Sequence, residues 1–206
     1  MFNFIPLGKN ASSSLKRKFT GIENISIEDL NHGRPYLYLP IRNIIFCYRD
    51  PIERYISSWR SRYEMGWPRY YKRPWYNKEI SLFSKFSKPE DYIQSMISKG
   101  EKFSPMFGHQ TPQSEVLSRQ NINDIKFIIN FNDINNSLDK MLDLLDIECD
   151  NKLSHLHSNR LDKEEVKGRT ICPDDYKILS ESSRTWLKEG YKEDYKLKEL
   201  MIKFNK

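Results

Sequence analysis

The chain has 206 residues, 38% of them hydrophobic and 13% aromatic, with a formal net charge of +6. That is enough apolar material for a globular domain with its own core, and it excludes an intrinsically disordered chain. The positive balance suits an acidic ligand, whether nucleotide, nucleic acid, anionic glycan or membrane surface, and does not choose among them.

Alanine and valine are nearly absent, so the core must lean on Ile, Leu, Phe and Tyr. Cys47, Cys149 and Cys172 lie far apart and form no CxxC pair or Cys/His metal spacing. An odd, scattered set gives no disulfide framework, so a reducing compartment and no bound metal are expected. No apolar run approaches the ~18 residues of a membrane-spanning helix. The opening MFNFIPLG lacks the basic flank and apolar length of a signal peptide, so a cytoplasmic or otherwise soluble protein is expected.

Phe2–Pro6 reads as a short buried strand, followed by a turn of small residues holding Lys9 and then a helix from Ser13 to Phe19 with a serine as its cap. Ala11, the only alanine, and Ser12, Ser13 and Ser14 let backbone approach an anion closely and add hydroxyl donors. A strand, such a turn and a helix N-terminus make a phosphate site, because the N–H groups and the helix dipole point the same way. A Ser-rich turn with no ligand fits the same stretch equally well. Thr20–Arg34 is polar and reads as irregular, with a helical turn at Ile27–Leu30 and with His32 inside it. Tyr36–Leu39 reads as a short strand.

Asn43–Tyr48, NIIFCY, is a continuous apolar run and suits a central parallel strand buried on both faces, with Cys47 a buried thiol. A helix follows at once, with Pro51 at its first position, Glu53 in its first turn, and Ile52, Tyr55, Ile56 and Trp59 spaced to face a core. Arg49 sits at the strand's carboxyl end, where open α/β sheets bind ligands. Ser57 lies about two turns into the helix. A surface Arg paired with Asp50 is the plainer alternative.

Glu64–Lys88 interleaves aromatics with Arg, Lys and Pro, and reads either as a loop that stacks on sugar rings or as one whose aromatics pack down on the domain. Pro89–Lys99 is an amphipathic helix stopped by Gly100. His109 falls in a Gly/Pro-flanked loop before a short helix from about Pro112; a general base and a merely structural histidine are both open there. Asp124–Phe131 is a second good strand and Asp133–Leu145 its helix. Strands alternating with helices imply an α/β fold with a parallel sheet. Asn151–Thr170 is a polar loop in which His155 and His157 lack the i, i+4 spacing of a helical zinc pair. Pro173–Leu187 reads as a helix stopped at Gly190, and YKEDYKLKELMIKF as a last amphipathic segment.

The first turn is not an ordinary nucleotide-hydrolysing P-loop. In GxxxxGK[ST] a hydroxyl residue follows the lysine and holds magnesium. Here Asn10 follows Lys9, and Asn3 stands where the first glycine would be. The strand NIIFCY ends in Arg49 rather than in the acid of a magnesium site.

Lys9-Asn10-Ala11-Ser12-Ser13-Ser14-Leu15 after Ile5-Pro6 resembles the 5′-phosphosulfate loop of sulfotransferases that use 3′-phosphoadenosine 5′-phosphosulfate (PAPS). Arg49-Asp50-Pro51-Ile52-Glu53-Arg54-Tyr55-Ile56-Ser57 resembles their 3′-phosphate motif, in which an Arg and a Ser at this spacing hold that phosphate. Lys16-Arg17 and His109-Gln110-Thr111-Pro112-Gln113 resemble the carbohydrate sulfotransferase branch. Ser158–Arg160 is similar to a late Asn/Arg loop near the nucleotide, and Tyr191–Tyr195 to the family's C-terminal signature.

The resemblance implies a P-loop-NTPase-like three-layer α/β fold with a central parallel sheet flanked by helices. It implies a single sulfotransferase domain over 1–206, with 64–88 on the acceptor side and 151–170 on the nucleotide side. It implies sulfuryl transfer from PAPS to an acceptor hydroxyl of a carbohydrate (a glycan), without metal and without nucleic acid. Lys9 and residues Asn10 to Ser14 would hold the 5′ end, Arg49 and Ser57 the 3′-phosphate, and Arg160 would lie near the nucleotide. His32 or His109 would be the base, with an Asp or Glu as the alternative. The family often reads Pro-Lys directly where Leu7-Gly8 intervene here, and the short spacing to Arg49 and the start at the first strand fit a minimal microbial or viral version. A P-loop-like nucleotide kinase and a basic nucleic-acid-binding protein are the rival classes.

Overall fold

The computed structural model describes residues 1–28, 41–64, 75–118, 120–147 and 172–204. They divide between two compact units, bounded by Met1–Asp50, Thr111–His157 and Glu193–Lys206 for the first and by Pro51–Gln110 and Ser158–Lys192 for the second. The predicted strand at Tyr36–Leu39 and the predicted loop at 151–170 fall outside the described residues, as do His32, His155, His157, Arg160 and Cys149.

The first unit is an α/β layer structure. Strands β1 (Phe2–Ile5), β2 (Ile25–Ile27), β3 (Ile44–Tyr48) and β4 (Ile125–Asn130) form a parallel sheet in the order β2-β1-β3-β4. All five residues of β3 are buried, as its unbroken apolar run requires of an interior parallel strand. Phe4, Ile45, Cys47, Phe127 and Ile129 face one side, where helices α1 (Ser12–Phe19) and α6 (Ile134–Leu144) bring Leu15, Phe19, Leu138, Met141 and Leu142. Ile5, Ile44, Phe46, Tyr48 and Ile128 face the other, against Leu117 of α5 (Gln113–Leu117) and Leu197 and Met201 of α8 (Lys192–Phe204). The register shifts by one residue at Lys126, which stands exposed between Ile125 and Phe127. That extra residue lets both flanking residues be buried, on opposite faces.

After β1 the chain adds β2 on one side and then returns to place β3 on the other. The carboxyl ends of β1 and β3 therefore flank the topological switch point, where open α/β sheets form their ligand crevice.

In the second unit α2 (Pro51–Tyr63), α3 (Asn77–Phe83), α4 (Pro89–Ser98), a 3-10 turn at Gly108–Gln110 and α7 (Glu181–Gly190) surround an aromatic core. The Trp59 ring, fully buried, meets Phe83, Tyr92 and Phe107 with centroids 5.4, 5.6 and 6.4 Å away. Trp75 stacks on Tyr63 and Phe83 and donates its indole N–H to the Arg62 carbonyl at 2.9 Å. The described part of 64–88 thus packs down, with Arg62 paired to Glu79, while Tyr76 stays exposed.

Three local readings are corrected. Ile25–Ile27, expected to be irregular, is the strand β2, because pairing with Phe2–Phe4 outweighs its own weak pattern. The helix expected from Pro173 starts at Glu181, where the Ser180 hydroxyl caps by accepting the Ser183 N–H at 3.2 Å; residues 173–178 form turns instead. The serine cap expected on α1 is absent: Ala11 occupies that position with φ 54° and makes no side-chain cap.

Candidate functional site in the first unit

Ile5 ends β1 fully buried, and Leu7 is buried in the core just beyond it. The extra residues that separate Pro6 from Lys9 thus anchor the turn rather than loosen it. Within the turn Lys9 has φ 67° and Ala11 φ 54°. Each left-handed non-glycine residue costs roughly 1–2 kcal/mol, so the surroundings must impose the shape.

Asn10, between them, does this. It is fully buried, and its Nδ2 donates to the Cys47 carbonyl at 2.6 Å and to Gln113 Oε1. Its own N–H returns to the Leu7 carbonyl at 3.2 Å. Asn10, predicted as one of the anion donors, pins the turn to β3 with its side chain. Ala11 then opens α1, whose first intrahelical bond runs from the Leu15 N–H to the Ala11 carbonyl at 2.9 Å. The N–H groups of Ser12, Ser13 and Ser14 therefore have no acceptor within the helix, and among the described residues no side chain caps them. The first turn holds no acid, and Lys16, Arg17 and Lys18 fill the last turn. Such a helix start is suited to an anion. Ser13 is exposed; Ser12, Ser14 and Lys9 are half-buried.

Arg49, at the end of β3, reaches this turn. Its Nη1 donates to the Lys9 carbonyl at 3.0 Å, and its guanidinium lies 4.2 Å from the centre of the Phe131 ring, just after β4. Gln113 holds the Arg49 backbone on both sides: Oε1 accepts the Arg49 N–H at 3.2 Å and Nε2 donates to the Arg49 carbonyl at 2.8 Å. Asp194 in the first turn of α8, fully buried, accepts from the Gln113 N–H at 2.9 Å, Gln113 Nε2 at 3.3 Å, the Ser114 N–H at 2.8 Å and the Ser114 hydroxyl at 2.6 Å. The carboxylate thereby caps α5 from another part of the chain.

The surroundings keep nearby acids of weaker strength neutral. Burial first, then Asp50, Asp194 and Tyr195, push the Tyr48 phenol well up. Tyr195 is pushed up to about 12 by burial and by Asp50 and Asp194. Burial raises the Cys47 thiol strongly, against a smaller opposite effect of Arg49, so it is an inert packing group rather than a nucleophile.

Lys9, Asn10, Ala11, Ser12, Ser13, Ser14 and Arg49 thus come together in the first unit. Ser57, half-buried on α2, and His109, half-buried in the 3-10 turn, belong to the second unit. Sequence reasoning gave no role to Gln113, Asp194 or Phe131. Gln113 and Asp194 stood inside quoted motifs, and their polar side chains beside apolar helix faces were the available signal; Phe131 had none beyond following a strand, as Arg49 does. Among the described residues no cluster of His, Cys, Asp and Glu could hold a metal ion, and no helix is long and apolar enough to cross a membrane.

A helix start of this kind at the switch point of a parallel sheet, with a lysine in the turn and an arginine on the next strand end, is an α/β arrangement suited to an anion. Residues 11–197 match the family model described as the sulfotransferase family, and the chain belongs to that family. Its members move a sulfuryl group from a donor to an acceptor hydroxyl. No curated protein and no solved structure matches the chain.

Proposed function

We propose that the chain transfers a sulfuryl group from PAPS to a hydroxyl of a carbohydrate acceptor, with residues 1–206 acting as one sulfotransferase domain. The observation that carries the donor part is the turn between β1 and α1, where the Arg49 guanidinium meets the Lys9 carbonyl just ahead of the helix start at Ser12–Ser14.

In this reading the acceptor oxygen attacks sulfur in line, the bond from sulfur to the bridging oxygen breaks, and charge develops on the departing 5′-phosphate. Lys9 and the N–H groups of residues 11–14, with the hydroxyls of Ser13 and Ser14, stabilise that charge; preorganised donors at a developing oxyanion are worth ~3–4 kcal/mol each. The likeness to the family's motifs assigns Arg49 and Ser57 to the 3′-phosphate that separates PAPS from ordinary adenine nucleotides, and Arg160 to the nucleotide. The acceptor's proton goes to His32 or His109. The carbohydrate acceptor rests on the likeness of Lys16-Arg17 and His109–Gln113 to the glycan branch.

The test is thermal denaturation with 3′-phosphoadenosine 5′-phosphate (PAP), ADP, or ATP with magnesium. A ligand at ~100 times its Kd stabilises by ~2.7 kcal/mol, an upward shift of about 5–10 °C for a chain of this size. PAP is expected to give that shift and ADP much less. Stabilisation by ATP with magnesium and none by PAP would replace the sulfotransferase donor with a kinase one. For the acceptor, label from radioactive PAPS is expected in polysaccharide and not in phenolic substrates.

A further inference from the structure

Gln113 uses every hydrogen-bonding position of its side chain. Oε1 accepts from the Arg49 N–H and Asn10 Nδ2, and Nε2 donates to the Arg49 carbonyl and Asp194 Oδ2. Turning the amide over would set NH2 against both the Asn10 amide and the Arg49 N–H, so only one orientation fits. The Arg49 N–H and carbonyl set that orientation, and it is reinforced by Asp194, a carboxylate with no solvent exposure whose two oxygens take four donors. Burying a carboxylate is costly, and an apolar residue would fill the same volume more cheaply. What the carboxylate does that an apolar residue could not is accept the N–H groups that open α5 together with the Gln113 amide, so that Gln113 is held at the start of α5 with its oxygen toward Asn10. Asn10 in turn lies between the two left-handed residues whose conformation shapes the anion-facing turn.

We infer that Gln113 and Asp194 are positioning residues: a buried relay from the first turn of α8 through Gln113 to Asn10 and the Arg49 backbone sets the shape of the Gly8–Ala11 turn and, through it, the affinity for the donor's phosphate. The identity of the ligand rests on the reading proposed above; the shape of the turn does not.

Gln113→Met keeps the volume and removes all four side-chain bonds. It is compared with Ile93→Ala, a cavity in the core of the second unit, under solution conditions in which both variants have lost the same melting temperature. Two quantities are measured: amide hydrogen exchange of the peptide spanning residues 7–15, without ligand, and PAP affinity by calorimetry. Gln113→Met is expected to speed exchange in that peptide at least tenfold and to weaken PAP at least tenfold, while Ile93→Ala changes neither beyond twofold. Equal effects of the two variants, or an unchanged exchange rate in Gln113→Met, overturn the relay. If the wild type binds no PAP, the donor reading fails, and the exchange measurement still decides the relay. Ser114→Ala, which removes one bond to Asp194, serves if Gln113→Met does not fold; a two- to threefold change in the same direction is expected, and no change overturns the inference.

Discussion

Lys9 combines a backbone and a side-chain requirement that can be separated by substitution. Its φ of 67° favours glycine, yet a glycine carries no charge. Lys9→Ala and Lys9→Gly are therefore expected to lose transfer alike, by about 10²–10³-fold, the effect of removing one oxyanion donor. In stability they should differ, with Lys9→Gly the more stable by about 1 kcal/mol through relief of strain. Turnover of labelled sulfate and urea denaturation read the two effects; wild-type turnover in either variant would remove Lys9 from the chemistry. Arg49 makes two contacts that a lysine cannot reproduce together, the bond to the Lys9 carbonyl and the stacking on Phe131. Arg49→Lys is expected to weaken PAP binding by tenfold or more in the same titration, and unchanged binding would contradict its place in the site.

At the scale of elements, the close of α7 turns on Gly190. A Cβ there would stand 2.3 Å from Cγ of Phe103, a ring held between Trp186 and Tyr191 with centroids 5.4 and 4.5 Å away. Alanine is favoured over glycine inside a helix by about 1 kcal/mol. The clash falls on the root of a clamped ring, though, and overpacking of that kind costs typically 1–3 kcal/mol. Gly190→Ala is thus expected to destabilise in urea, while a stabilising effect would show that the ring can move aside. The sequence reading took this glycine for a helix stop; the structure keeps it within α7, where it is required by what packs over it.

For the whole molecule, buried phenols set the alkaline limit. Tyr48, Tyr55, Tyr63, Tyr92 and Tyr195 are all shifted up, burial being the largest cause in each, with Tyr195 reaching about 12. Between the ordinary phenol value of ~10 and the folded values, the unfolded chain has released protons that the folded chain still holds. The stability contributed by these groups is complete below about pH 10 and falls as pH rises through the folded values. The urea midpoint should therefore hold between pH 8 and 9 and drop steeply above about pH 10, with phenolate absorbance appearing together with unfolding. Tyr195→Phe should make the drop shallower. A midpoint flat to pH 11 would contradict the shifts.

Much of the first unit is legible in the chain alone. NIIFCY suits an interior parallel strand, because an unbroken apolar run needs cover on both faces, and it is one; the strand–turn–helix around Lys9 is legible as local structure from its apolar run, its small residues and the helix that follows. These are local facts, decided by side-chain size, charge and hydropathy over a few neighbours. The strand at Ile25–Ile27 was not legible, since three residues carry too little pattern and only the free edge of β1 recruits them. Nor were the parts of Asn10, Gln113 and Asp194: their bonds join residues 103 and 81 positions apart. A polar side chain announces that it needs partners but not which ones it will meet. Sequence by itself determined what chemistry stands at the ends of β1 and β3; the order in which the sheet is wound decided that these ends are neighbours and that a carboxylate from the last helix holds them in register.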